Sequence, residues 1–161
     1  MALETLTDEQ IQSLLACAKR VENPQAREKT EGKHLRRDYR VASLDGEHQF
    51  TLFARQSIKI ANSFSAGLLW KSKTGEEVIL LRCNGSDHEH PNRLERTRLV
   101  DQFHVHEATE RYISSGKKSE GFAQATTAYR SLDGALHHLL QLANIQGMKS
   151  QPDETDLFDQ P

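Results

Sequence analysis

The sequence predicts an α+β domain: an N-terminal helix, an antiparallel β-meander of about five strands, and a C-terminal helix packed on one face. Three observations predict it. A capping box, Thr7-Asp8-Glu9-Gln10, precedes Ile11, Leu14, Leu15 and Ala18 at helical spacing. Apolar residues then alternate with period two on both sides of Asp45-Gly46. A second helical stripe, Leu132, Ala135, Leu136, Leu139, Leu140 and Ala143, follows Ser131.

The first helix is expected over about 7–22. Asp8 and Glu9 suit its positive end, Lys19 and Arg20 its negative end, and Pro24 stops it. A polar connector runs to about Lys33. Tyr39, Val41 and Ser43 make the first strand and Phe50, Leu52 and Ala54 the second, with a tight Asp45-Gly46 turn between them. Phe64, Ala66, Leu68 and Trp70 alternate in a third, and Lys73-Thr74-Gly75 turns the chain into Val78-Ile79-Leu80-Leu81. That unbroken apolar run suggests a central strand covered on both faces. Val100 to Glu107 supplies the fifth strand. Phe122 to Tyr129 fits a helix by spacing, but Thr126-Thr127 weakens that reading. The C-terminal helix should end near Asn144. After Gly147 periodicity is lost, which gives a single domain over 1–148 and a disordered acidic tail over 149–161.

The bulk numbers exclude several classes. A chain of 161 residues fits one domain, and no apolar run approaches the ~20 residues of a membrane span. Cys17 and Cys83 are too few for a disulfide scaffold, and the acidic opening does not resemble a secretory leader, so a cytoplasmic protein is expected. The net charge of −2 is uneven. The last eleven residues hold four acids and no base, leaving a slightly basic body. Arg36 and Arg37 sit in a basic segment from Arg27 to Arg40, and Arg93, Arg96 and Arg98 form a second group. Either group suits phosphate contacts or an ordinary solvated surface.

The chemistry concentrates in two H-x-H pairs, His88/His90 and His104/His106, which hold four of the eight histidines. Residues two apart share a strand face, so His104, His106 and Gln102 should project together, away from Phe103 and Val105. Three readings fit. Two imidazoles about 6–7 Å apart on one strand suit acid–base cleavage of a phosphodiester, with Arg82 or Arg98 stabilising charge and Asn92 or Gln102 orienting substrate. The four histidines also have the donors for a divalent metal. The plain alternative is a set of surface histidines on an exposed face.

Ile79 to Asn92, with its Arg82-Cys83-Asn84 and His90-Pro91-Asn92, followed by Phe103-His104-Val105-His106, resembles the TumE family of toxin–antitoxin toxins and a related family of small prophage and plasmid proteins. The likeness runs from about Arg40 to Ile145 and places Arg82, Asn84, His90, Asn92, His104 and His106 at motif positions. It implies a toxin acting on RNA and controlled by an antitoxin partner. The family's Asp is Asn84 here, its Asn-Pro-Asp-Gly turn is Asn92-Arg93-Leu94-Glu95, and the Tyr after H-x-H is replaced by Glu107-Ala108.

Glu154-Thr155-Asp156-Leu157-Phe158 resembles the short peptides that dock bacterial replication proteins onto the sliding clamp, with Asp156, Leu157 and Phe158 as the contact residues. The alternatives are a solubilising tail or one that folds back on the Arg27–Arg40 segment. The expectation is therefore a toxin-like protein that binds RNA and carries groups able to cleave it: His104, His106, His90 and Arg82 for catalysis, with Asn92, Gln102, Arg98, Arg36 and Arg37 for substrate. The competing expectation is a non-enzymatic, prophage- or defence-related module that binds a protein, with the sliding clamp as one partner.

Overall fold

The computed structural model describes residues 6–153. In chain order the elements are α1 (Asp8–Ala16), β1 (Lys19–Val21), β2 (Lys29–Glu31), β3 (His34–Ser43), β4 (Gln49–Ser57), β5 (Phe64–Lys71), β6 (Glu77–Asn84), β7 (His90–Asn92), β8 (Thr97–Leu99), β9 (His104–Glu107), α2 (Glu110–Ser114), β10 (Phe122–Ala125), α3 (Leu132–Leu142) and β11 (Ile145–Gln146). One nine-stranded sheet runs in the order β10-β9-β6-β5-β4-β3-β1-β11, with β2 also paired to β3; β7 and β8 form a separate hairpin. All pairings are antiparallel except β1 with β11.

The mixed α+β class and the mostly antiparallel sheet agree with expectation, whereas eleven strands replace about five. The five expected strands are β3, β4, β5, β6 and β9, and they form the contiguous centre of the sheet. The additional strands have two to four residues, too few to show a period. Phe122–Ala125 is one of them, an edge strand whose form is set by pairing with β9 rather than by propensity.

Thr7 caps α1 through the full box: its hydroxyl accepts from Gln10 N, and the Gln10 side chain accepts from Thr7 N. The helix stops at Ala16, however, and not near residue 22, because Cys17 is extended and Lys19–Val21 pairs with β3. Lys19 is fully buried, and its ammonium donates to Leu15 O (2.8 Å), Cys17 O (2.8 Å) and Ala143 O (2.7 Å). It thus satisfies carbonyls at the ends of two helices at once.

The Asp45-Gly46 signal marks the β3–β4 turn correctly, but only Gly46 has a positive φ, of 77°. The Asp45 carboxylate instead accepts from Ser43 Oγ and Glu47 N, bonds that hold its pKa below the usual carboxylate range. In β6 a register shift against β5 pairs Leu68 with Leu81 and Leu69 with Ile79. The intervening Leu80 changes the alternation, so Leu80 and Leu81 are both buried while Arg82 and Asn84 emerge on the far side. A bulge, and not simply cover on both faces, accounts for the unbroken apolar run.

One sheet face is dry. Tyr39, Val41, Phe50, Leu52, Phe64, Ala66, Leu68, Val78, Leu80, Leu81 and Cys83 meet Ile11, Leu14 and Leu15 of α1 and Ala135, Leu136, Leu139 and Leu140 of α3 in one core. The other face carries Phe53, whose ring lies across Gly67: a Cβ at Gly67 would stand 2.2 Å from Phe53 Cζ. Gly67→Ala should therefore cost about 2 kcal/mol, measured by urea unfolding. Adding Phe53→Leu should recover part of that loss; equal losses in the single and double variants would remove this explanation.

The expected tail boundary shifts. Ser150 Oγ hydrogen-bonds His137 Nδ1 at 2.8 Å, and the Asp153 carboxylate accepts from Arg130 N and Ser131 Oγ at the start of α3. Residues up to 153 thus return to the domain. Asp156, Leu157 and Phe158 lie outside the described residues.

Candidate functional site

Strand parity assembles the site. Arg82 pairs with His106 and Asn84 with His104 across β6–β9, while Gly67 pairs with Arg82 and Ser65 with Asn84 across β5–β6. Cross-strand partners share a face. All of these therefore lie on the face opposite α3, together with Phe53 and Arg55 of β4 and His34 and Arg36 of β3.

At the β9 end, three imidazoles cluster under the β7–β8 hairpin and the segment before β10. Ring centres are 4.5 Å apart for His90 and His106, 4.9 Å for His104 and His106, and 5.7 Å for His90 and His104. Each ring donates to a backbone carbonyl: His90 Nε2 to Gly121 O (2.7 Å), His104 Nδ1 to Gln102 O (2.8 Å) and His106 Nδ1 to Glu120 O (2.8 Å). The acceptor fixes the tautomer in each case, since a carbonyl has no proton to give. His106 Nε2 then accepts from Asn84 Nδ2 at 3.2 Å, and Asn84 Oδ1 accepts from Ser65 Oγ at 2.8 Å.

His104 and His106 are each only 2% exposed, so the surface-histidine alternative does not describe them. Burial, with Arg82 and His104 nearby, pushes the His106 pKa down to about 2; burial lowers that of His104 as well. His88 stands apart, 74% exposed beside Asp87. Among the described residues no group of three or more His, Cys, Asp or Glu side chains is placed to hold a metal ion. The four-histidine arrangement does not form, because His88 lies exposed beside Asp87 and the second nitrogen of His106 faces Asn84 Nδ2.

Other expected substrate residues are placed differently. Asn92 is buried, with Oδ1 accepting from Ala123 N and Nδ2 donating to Ala123 O, both at 2.8 Å. Its amide acts as a strand neighbour for β10 and has no free side toward a substrate. Gln102 is exposed, outside the cluster that His104 and His106 form, and contributes its backbone carbonyl to His104. Arg98 is exposed on the hairpin and paired with Glu89 at 3.1 Å. Arg36 and Arg37 fall on opposite faces of β3; Arg37 is 4.0 Å from Glu28, and Arg36 lines the open face.

That face holds a groove of about 560 Å³. Arg36, Arg55 and Arg82 line it, together with His34 and His88 and the carboxylates of Glu77 and Asp87. Arg36 lies over the Phe53 ring (5.0 Å) and pairs with Asp38 at 3.1 Å. Arg55 approaches Glu31 at 3.7 Å and hydrogen-bonds His34 Nδ1 at 3.3 Å. Arg82 makes no ion pair within 4.0 Å among the described residues. Burial lowers its pKa and the charge of Glu120 raises it again. Glu120 is itself 5% exposed.

Sequence reasoning missed Arg55, Ser65 and Glu120. Arg55 was within reach, because it sits on the opposite parity from Phe50, Leu52 and Ala54 in a strand already recognised. Glu120 carried no such signal; only the packing of its segment onto β9 places it. Compared with protein-family models, curated proteins and solved structures, the chain has no match.

Proposed function

We propose that the protein binds RNA along the open face of its sheet, with Arg36, Arg55 and Arg82 taking the phosphates. The observation that carries this reading is the placement of three guanidiniums from three different strands in one groove, on the face opposite α1 and α3. Phosphate neutralisation is the main source of affinity for a sequence-tolerant nucleic-acid binder, and a guanidinium meets phosphate oxygens through paired N–H groups. The His90–His104–His106 cluster supports the groove from its β9 side: His106 fixes Asn84, and Asn84 fixes Ser65. Binding is favoured over cleavage. An imidazole whose pKa lies near 2 is neutral at neutral pH, and the one proton His106 keeps is donated to Glu120 O, so His106 is poorly suited to protonate a leaving oxygen.

The test is fluorescence anisotropy with a short single-stranded RNA between 50 and 200 mM salt. Three neutralised phosphates predict a slope of about −2 in log Kobs against log salt. The Arg36→Ala/Arg55→Ala/Arg82→Ala variant should lose most of that slope while remaining folded. Salt-independent binding, or a triple variant that binds like the wild type, would remove the reading. The toxin resemblance adds a cellular form of the same test: induced wild type should arrest bacterial growth and the triple variant should not.

A further inference from the structure

We propose that Arg55 and Arg82 form a discrete subsite for one phosphoryl group, held between them above Ser65. This rests on the groove being an anion site. Among the described residues, two buried side-chain nitrogen or oxygen atoms have no hydrogen-bond partner, and they are Arg55 Nε and Arg82 Nε. Both belong to guanidiniums that line the same groove. Leaving a buried charged donor unmade is costly, and both guanidiniums border one groove where a single anion can meet them.

The strand between them leaves space for a compact tetrahedral anion. Arg55 stands on β4 and Arg82 on β6, with β5 between; Arg55 is in register with Ser65 and Arg82 with Gly67. The intervening strand thus offers only a hydroxymethyl group and a hydrogen at these two positions. Phe53, lying over Gly67 and under Arg36, walls one side. Ser65 and Asn84 are bonded to each other, so neither oxygen is used up on the guanidiniums. The nearby acids do not fill the role. Glu31 lies at 3.7 Å from Arg55 Nε without a hydrogen bond, and Glu120 acts on Arg82 only from beyond ion-pair distance. A phosphoryl group has enough oxygens to accept from both guanidiniums at once.

The same chemistry is presented by an internal RNA phosphate and by a free phosphate or phosphomonoester. Two measurements separate them: direct binding of inorganic phosphate, followed by calorimetry, and its displacement of the RNA probe at constant ionic strength with chloride as control. In wild type, phosphate should bind and displace RNA where chloride does not. Arg82→Lys and Arg55→Lys keep the charge but lose the fork. Each should weaken phosphate binding at least tenfold, with phosphate displacing the RNA probe correspondingly less well. Arg55→Lys, at the more open end, guards against loss of fold in Arg82→Lys, and a urea midpoint checks both. Phosphate binding without RNA binding would support the subsite and overturn the RNA reading. RNA binding that phosphate neither competes with nor accompanies would do the reverse. Wild-type phosphate affinity in both lysine variants would overturn the subsite.

Discussion

Acidification from pH 7 to pH 5 should cost the protein about 2 kcal/mol of stability through His106 alone. An unfolded histidine titrates near 6.5, whereas burial beside Arg82 and His104 puts folded His106 at about 2. Between those values the unfolded chain binds a proton that the native state excludes. The stabilising contribution is therefore complete above pH 6.5 and is lost as pH falls, at about 1.4 kcal/mol per unit. His104 adds to the slope in the same direction, and half-buried His138 does so too. Protonating His106 would also take Nε2 away from Asn84 Nδ2 and loosen the bond chain to Ser65. Urea midpoints at pH 7, 6 and 5 measure the effect before most carboxylates titrate. His106→Gln should flatten the curve; an unchanged slope in that variant, or a flat wild-type curve, would show that the fold does not hold His106 neutral.

Lys19→Met should destabilise the fold by about 3 kcal/mol, with little effect on RNA binding. Three carbonyls from Leu15, Cys17 and Ala143 converge on one ammonium, which also lies 5.1 Å from the centre of the Phe50 ring. Hydrogen bonds to a charged donor are stronger than neutral ones, and carbonyls at helix ends lack intrahelical partners. Methionine fills a similar volume but leaves all three acceptors without that donor. Opposing this is the cost of burying the ammonium, which lowers the Lys19 pKa. Equilibrium urea unfolding at pH 7 decides between the two effects. A loss of at least 2 kcal/mol would show that the bonds outweigh the desolvation; a variant within about 0.5 kcal/mol of wild type would show that they cancel.

Lys19 also shows where local reading of the chain fails. A lysine after Leu14, Leu15 and Ala18 looks like the basic last turn of a helix, and propensity alone continues α1 through it. The chain instead turns extended at Cys17, because β3 offers Lys19–Val21 a partner and α3 brings a second set of carbonyls. Asn92 is a comparable case. Its place beside His90 and a proline suggests a substrate-orienting loop residue, yet its amide replaces a missing strand beside β10.

The parity of β9 was legible: His104 and His106 do share a face, and Phe103 and Val105 do turn to the core. What covers that face was not, since the cover comes from residues 90–92 and 118–121, which have no periodicity linking them to β9. Cover changes the chemistry, converting an expected exposed acid–base pair into buried neutral donors to the backbone.

By itself, the sequence determined the class of the domain, the caps of α1 and α3, the five central strands and the two loops that turn them. All of these depend on local capping, glycine geometry and hydrophobic period, which neighbouring residues carry. Tertiary structure alone decided the short edge strands, the bulge in β6, the burial of the histidines and the meeting of Arg55 with Arg82. Those depend on register between strands distant in the chain, and a one-residue shift in register moves a side chain from one face of the sheet to the other.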